Sequence, residues 1–353
     1  MSIAEEKPIE IDGSYGEGGG QILRTALALS AILKRPFTIH HIRSKRMNPG
    51  LQAQHLEAVE ALAQITEAKT EGVKFGSQTI SFCPKEIISG DYHFEVKTAG
   101  SVILLLQAIF LPLCLAQGPS RVTLVGGTHV PWSPPFHYFL RVLLPTLEPM
   151  GISVDAAIEK WGFYPRGGGR IQLNINPAQE LKPLHLTDRG SLKRIWGLSA
   201  RSNLPRHVAE RQKDQAVQRI QKELNIEPEI NVLHDVSSNG PGSFLFLLAE
   251  HEKAFAGFSS LGKKGKPAER VADEAVDDLK DYLRSGGGID LYLSDQIIPF
   301  MALTKANSSF TTARMTGHLL TNLWVVSHFL QVRVEKQGEA GEPGRVDFIP
   351  PTY

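Results

Sequence analysis

Cysteine is almost absent from this sequence, which carries only Cys83 and Cys114 among 353 residues. Isolated cysteines without a CxxC pair argue against a disulfide framework and a structural zinc site, and they suit a reducing compartment. The N-terminus lacks the basic and apolar regions of a signal peptide, and the longest apolar run, 101–116, is shorter than the roughly 20 residues that span a bilayer. We therefore expect a cytoplasmic protein with no membrane partner, in which this run forms a buried helix.

An excess of either charge is also missing, since 38 Lys and Arg residues oppose 37 Asp and Glu residues and leave a formal net charge of +1. Any polyanion must therefore be bound by a local basic patch and not by bulk charge. Hydrophobic residues make up 42% and charged residues 21% of the chain, as in ordinary globular proteins. The length favours one large domain with a smaller one.

Glycine is abundant, and it marks a recurring order of elements. A predicted strand at 8–12 is followed by the glycines of 16–20 and by a helical pattern over 21–33. The same order recurs over 94–113 and before the apolar helix that starts near residue 316, and strand-like alternation follows each of the three. We predict a mixed α/β (α+β) fold in which a unit is repeated three times.

The stretch from about residue 183 to 288 differs in character, with amphipathic helical patterns over 208–224 and 268–283. It is typical of an inserted domain. We therefore predict a large catalytic domain formed by 1–184 and 286–353, and a smaller inserted α/β domain formed by 185–285.

The first candidate site is the glycine cluster of 12–21, DGSYGEGGGQ. Glycines before a helix let backbone N–H groups approach a phosphate, although the same residues also suit a tight turn of purely structural purpose. The cluster lacks the GK[ST] of a Walker A loop. Glu17 is either a magnesium ligand at the mouth of this turn or an ordinary carboxylate at the start of a helix.

A second candidate is the basic run 40–50, HHIRSKRMNPG, followed by Gln52, Gln54 and His55. Such residues contact nucleic acid phosphates, and the alternative is a solvated loop with scattered charge. A third is 292–296, YLSDQ, where a tyrosine suits base stacking and a carboxylate and an amide suit polar contacts. Its alternative is a structural tyrosine with a helix cap at Ser294 or Asp295.

The last candidate is His318, which lies in the first turn of the predicted apolar helix. A helix N-terminus disfavours imidazolium, so we expect a neutral, nucleophilic ring beside a bound triphosphate. A helix cap or a packed side chain is the structural alternative for a lone histidine at this position.

Together these motifs resemble the RNA 3′-terminal phosphate cyclase family. The resemblance runs over nearly the whole chain, through DGSYGEGGGQILR, IRSKRMNPGLQAQHL, TAGSVILLLQ, GGTHVPWSPP, GFYPRGGG, RHVAER, GKKGKPAERVA, YLSDQ and GHLLTN. It implies repeated βαβαββ units with an inserted α/β domain. It also implies ATP as a substrate, an RNA bearing a 3′-phosphate as the partner, and a ligase-like reaction through histidine-AMP and RNA-adenylate that releases pyrophosphate and AMP and leaves a 2′,3′-cyclic phosphodiester.

The resemblance also assigns roles to residues. It implies that His318 is the nucleophile and that Glu17 contacts Mg²⁺ or Mn²⁺. The implied phosphate or RNA contacts are Arg24, Arg43 and Gln54. The implied ATP site consists of Gln107, Pro134, Tyr138, Tyr292, Leu293, Ser294, Asp295 and Gln296.

Rival interpretations are a non-catalytic RNA-processing factor of the same superfamily, an enolpyruvyl transferase with a similar repeated architecture, and a purely binding role. The presence of His318 speaks against the first, and the inserted segment with GHLLTN speaks against the second. Covalent retention of AMP would separate an enzyme from a binding protein, because fold analogy alone does not.

Overall fold

A computed structural model describes residues 7–351 of the chain. The first sheet is built from the amino-terminal elements, with strand order β1-β2-β4-β3. In chain order these are β1 (Ile9–Asp12), α1 (Gly20–Leu33), β2 (Phe37–His40), α2 (Ala53–Thr66), β3 (Lys69–Glu71) and β4 (Ile80–Cys83).

The second sheet has the order β5-β6-β8-β7. Its elements are β5 (Asp91–Glu95), α3 (Val102–Cys114), β6 (Ser120–Gly126), α4 (Phe136–Tyr138), a π-helical turn (Phe139–Leu143), α5 (Leu144–Leu147), a 3₁₀ turn (Glu148–Met150), β7 (Ser153–Lys160) and β8 (Gly169–Asn176). Helix α3 confirms the buried helix predicted within 101–116, and Ser101 caps it by accepting a hydrogen bond from the Leu104 N–H at 3.2 Å.

Two further sheets complete the fold. After β9 (His185–Leu186) the chain forms β10 (Leu192–Ser202), α6 (His207–Leu224), β11 (Glu229–Leu233), β12 (Gly242–His251), β13 (Phe255–Leu261) and α7 (Ala268–Arg284). It then forms α8 (Leu293–Gln296), α9 (Ile298–Ala302), β14 (Ser308–Thr312), α10 (Gly317–Phe329), β15 (Arg333–Gln337) and β16 (Gly344–Ile349). The orders are β11-β10-β12-β13 and β15-β16-β14-β9.

The predicted mixed α/β class is confirmed, since each of the four sheets combines one parallel with two antiparallel pairings. Strand β9 pairs in parallel with β14, so residues 185–186 belong to the last sheet. None of the helices within 7–351 combines the length and the apolar character that a membrane crossing requires.

The three glycine-led helices meet in the core. Helix α1 packs against both α3 and α10, and its buried face is supplied by small and aliphatic residues such as Ala26 and Leu27. Because each helix begins at the end of a strand, this packing brings the three helix starts, with the loops before them, into one region of the molecule.

Candidate active site

The glycine turn between β1 and α1 lies directly against α10. Gly16 and Gly18 have φ of +53° and +56°, in the left-handed region that glycine tolerates. A Cβ on Gly16 would lie 2.5 Å from Oγ1 of Thr321, and one on Gly20 would lie 2.3 Å from Nε2 of His55. The glycines therefore serve a sharp turn and also a close approach to two other helices.

The side chain of His318 does not serve as the cap of α10. Thr316 is the N-cap, because its Oγ1 accepts a hydrogen bond from the Leu319 N–H at 3.0 Å. The backbone oxygen of His318 accepts a 2.9 Å hydrogen bond from Nε2 of Gln21, which fixes the turn against α1. The capping role that sequence allowed for His318 is thus filled by another residue.

The ring of His318 lies between two carboxylates. Its Nε2 is 3.0 Å from Oε2 of Glu17, and its Nδ1 is 3.6 Å from Oδ2 of Asp295. Asp295, and to a smaller extent Glu17, raise the pKa of His318 above its ordinary value, while burial and the charge of Arg24 oppose that rise. The expected neutralising effect of the helix N-terminus is therefore overridden, because the carboxylates are closer charges.

A chain of hydrogen bonds runs from α1 to α8 beside this histidine. Nε of Arg24 donates to Oε1 of Gln107 at 3.1 Å, Nε2 of Gln107 donates to Oε1 of Gln296 at 3.3 Å, and Nε2 of Gln296 donates to the Tyr292 oxygen at 2.6 Å. Burial lowers the pKa of Arg24 to about 10, and Asp295 opposes that shift. Arg24 is still a cation at neutral pH, so it is available to an anion.

Two tyrosines are tied together by the buried carboxylate of Asp290. Its Oδ1 accepts from the Tyr138 hydroxyl at 2.7 Å and from the N–H groups of Tyr292 and Leu293, and its Oδ2 accepts from the Gly257 N–H. The two tyrosine rings meet edge to face at 6.2 Å. Burial raises the pKa of Asp290 to about 6, and the hydrogen bonds from Tyr138 and the three N–H groups oppose that rise.

Asp290 also corrects one sequence interpretation. We allowed Ser294 or Asp295 as the cap of the helix at 292–296, but Asp290 is the residue that accepts from the first N–H groups of α8. Ser294 instead donates its hydroxyl to the Leu291 oxygen at 2.8 Å.

His318, Asp295 and the hydrogen-bonded chain from Arg24 to Tyr292 line one cleft of about 470 Å³, within the range of small-molecule sites, whereas Glu17 and Asp290 lie outside its lining. Eight of the residues singled out in the sequence line it: Arg24, Gln107, Pro134, Tyr138, Tyr292, Asp295, Gln296 and His318. Leu293 and Ser294 do not, since both are fully buried. The cleft also contains residues that sequence reasoning missed, among them Trp132 and Ser259. Only the motif GGTHVPWSPP pointed toward Trp132.

Arg43 and Gln54 lie outside the cleft lining. Arg43 donates to the backbone oxygens of Asn48 and Gly50 at 2.7 and 3.0 Å, and Gln54 accepts from the Ser101 N–H at 3.2 Å. Burial, together with the charges of Arg24 and Arg43, lowers the pKa of His55 to about 3.

The basic run lies over the glycine turn. Nζ of Lys45 donates to the Gly16 oxygen at 3.4 Å, and Nη2 of Arg46 is 3.7 Å from Oε2 of Glu17. Glu17 therefore connects the basic loop to His318. Within the described part of the chain, no cluster of three or more His, Cys, Asp or Glu residues is arranged to hold a metal ion.

The fold and the cleft define a class of protein: a mixed α/β protein whose aromatic-walled cleft holds a histidine between two carboxylates. The chain belongs to the RNA 3′-terminal phosphate cyclase family, because the sequence model of that family matches residues 15–336. The family resemblance inferred from the motifs is thereby confirmed.

Relatives support the assignment over the full length. The RNA 3′-terminal phosphate cyclase of Methanopyrus kandleri is 44% identical over 347 residues, covering 97% of this chain and 99% of that protein. That of Thermococcus onnurineus is 43% identical over 342 residues, with the same coverage of each chain. Among solved structures, the enolpyruvyl transferase NikO of Streptomyces tendae aligns with this chain at 10% identity and a TM-score of 0.27. The alignment covers 99% of this chain and 66% of the NikO chain, so this chain spans just under two thirds of NikO. So low a score carries no argument for the enolpyruvyl transferase alternative.

Proposed function

We propose that this protein is an ATP-dependent RNA 3′-terminal phosphate cyclase, which converts the 3′-phosphate of an RNA into a 2′,3′-cyclic phosphodiester. Membership of the family and the name of its full-length relatives support the activity. The single structural observation that supports the mechanism is His318, which lines a nucleotide-sized cleft and has both ring nitrogens facing carboxylates.

In the first step Nε2 of His318 attacks the α-phosphorus of ATP. A nitrogen–phosphorus bond forms, the bond to the bridging oxygen breaks, and pyrophosphate leaves with the electron pair. Asp295 beside Nδ1 favours the tautomer that keeps its proton there, so that Nε2 is the nucleophile. The proton held on Nε2 at low pH must leave before attack, and Glu17, 3.0 Å away, is placed to accept it.

The cleft suggests how ATP is held. Tyr292, Tyr138 and Pro134 supply the apolar faces for the adenine, and Gln107 and Gln296 supply polar contacts. Arg24 neutralises phosphate charge. We assign Leu293 and Ser294 to the support of this wall, since both are buried beneath it.

Glu17 fits a divalent cation as one ligand. A single carboxylate beside a phosphate site suits Mg²⁺ or Mn²⁺, which completes its coordination with water and substrate oxygens and not with a protein cage. When bound there, such an ion would neutralise charge on the triphosphate.

RNA enters in the next two steps. An oxygen of its 3′-phosphate attacks the phosphorus of histidine-AMP, which breaks the nitrogen–phosphorus bond and restores His318. The neighbouring 2′-hydroxyl then attacks the activated 3′-phosphorus, loses its proton, and displaces AMP. Arg43 and Gln54 are the proposed contacts to the phosphates of RNA.

We also propose that the fold consists of three repeated βαβαββ units, with 185–285 as an inserted domain. The shared order of the sheets β1-β2-β4-β3 and β5-β6-β8-β7, and its counterpart β9-β14-β16-β15, support the repeat. The pairing of His185–Leu186 with β14 supports a start of the insertion a few residues after 185. The free cysteines support a cytoplasmic setting.

The experiment that tests the mechanism is incubation with α-labelled ATP and Mg²⁺, followed by denaturing electrophoresis. We expect an acid-labile label on the wild-type chain and on His328→Ala, whose ring contacts the Trp324 oxygen at the far end of α10. His318→Ala should carry no label. An unlabelled wild type that still binds ATP would overturn the histidine-AMP step and favour a binding role.

A further inference from the structure

Trp132 is an exposed aromatic at the rim of the active-site cleft. It is 96% exposed, yet it belongs to the lining of the same cleft as His318. A tryptophan left in water gives up the burial of a large apolar surface, and tryptophan side chains are highly buried on average in proteins. The exposure of the Trp132 ring therefore indicates that it binds a partner absent from the free protein.

The backbone holds this ring outward. Trp132 has φ of +60°, which is a strained conformation for a bulky residue. Pro131 precedes it, Pro134 and Pro135 follow it, and the Ser133 hydroxyl donates to the Val130 oxygen at 3.2 Å. Because the prolines restrict the segment, the ring is presented by a stiff loop, and little conformational entropy is lost when a ligand stacks on it.

Other apolar side chains of the cleft can contact the adenine of ATP in place of Trp132. Tyr138 is buried and Tyr292 is half-exposed, and together with Pro134 they line the cleft as apolar walls. An RNA strand, in contrast, must remain outside the cleft while its 3′ end reaches His318, and an exposed ring at the rim meets its bases. Aromatic side chains hold single strands by stacking with little dependence on sequence.

We infer that Trp132 is a stacking platform for a base near the 3′ end of the RNA substrate. This inference rests on the proposed cyclase function. The ligand class is a single-stranded RNA end, since a base must be free to leave its own stack to lie on the indole.

The test separates the ATP step from the RNA step. Self-adenylylation without RNA and AMP transfer at increasing RNA concentration are measured for wild type, Trp132→Ala and Trp132→Phe, with Tyr164→Ala as an exposed aromatic control. We expect the effect of Trp132→Ala to fall on the RNA step, with the KM for RNA raised about tenfold, as loss of one stacked base implies. Trp132→Phe keeps an aromatic ring and should raise the KM for RNA less than Trp132→Ala does, and Tyr164→Ala should have the wild-type KM.

Direct binding of a fluorescent RNA bearing a 3′-phosphate is measured in parallel, because it does not depend on catalysis. Weaker binding by Trp132→Ala supports the platform even if wild type fails to self-adenylylate, a failure that would instead overturn the proposed mechanism. Slower self-adenylylation or a raised KM for ATP in Trp132→Ala would place the adenine of ATP on the ring and overturn the inference. Unchanged RNA binding and KM would overturn it as well.

Discussion

At the scale of single residues, the protonation of His318 is set by its neighbours. Asp295 is the main cause of its raised pKa, with Glu17 as a further contributor. Because only the neutral ring attacks phosphorus, self-adenylylation should fall as the pH drops through this raised pKa. In Asp295→Asn we expect the midpoint of that fall to move to lower pH. The maximal rate should also decrease, by about two orders of magnitude, because the ring loses its orienting partner.

The measurement is the single-turnover rate of histidine-AMP formation between pH 5 and 9, a range of about two units on each side of neutrality. Asp281→Asn, on the exposed side of α7, is the matched control and should keep the wild-type profile. A midpoint that stays in place or moves upward in Asp295→Asn would show that this carboxylate does not govern the ring.

At the scale of elements, Asp290 joins three of them. Its carboxylate receives hydrogen bonds from Tyr138 at the end of α4, from Gly257 in β13, and from the start of α8. In Asp290→Asn one oxygen becomes an amide that faces N–H or hydroxyl donors, so at least one buried group loses its acceptor. We expect a loss of roughly 1–3 kcal/mol in the free energy of unfolding and a higher KM for ATP.

Denaturant unfolding and steady-state kinetics check this expectation, with Asp155→Asn on the exposed face of β7 as the control. If Asp290→Asn lost stability but kept the wild-type KM for ATP, the carboxylate would support the fold without positioning the tyrosine wall.

Helices α1, α3 and α10 were predictable, because each has a glycine or serine start followed by an apolar stretch of helical length. The short strands β3 and β9, of three and two residues, have no pattern of their own and exist through pairing with β4 and β14. The local sequence of β3 and β9 does not identify the strands with which they pair.

The candidate active site likewise depends on contacts between residues that are distant in sequence. His318 was found from its place at a helix start, but the rise of its pKa depends on Glu17 and Asp295, which arrive through the packing of separate elements. Asp290 went unnoticed because nothing in its local sequence distinguishes it from a turn residue. Its importance lies in partners more than 30 residues away, such as Gly257 and Tyr138.

At the scale of the whole molecule, strand β12 belongs to two cores at once. Phe244, Phe246 and Leu248 pack in the main hydrophobic cluster, while the alternate residues Leu245 and Leu247 pack in a second cluster with α6 and α7. This alternation follows from the period of two along a strand. The sheet β11-β10-β12-β13 of the proposed insertion therefore packs one face against the main core, and the segment should unfold with the rest of the protein in one cooperative transition.

Hydrogen exchange at increasing urea tests this coupling. Peptides from α7, in the second cluster, and from α1, in the main cluster, should report the same free energy of opening. Phe246→Ala should lower both values together by about 3–5 kcal/mol, the usual cost of truncating a buried phenylalanine. Ile220→Ala, which removes a side chain of the second cluster alone, serves as the comparison, and coupling requires that it too lowers the value for α1. If α7 opened first while α1 kept its protection, the segment would be an independent folding unit, and the Gly257 wall of the cleft would be free to move relative to His318.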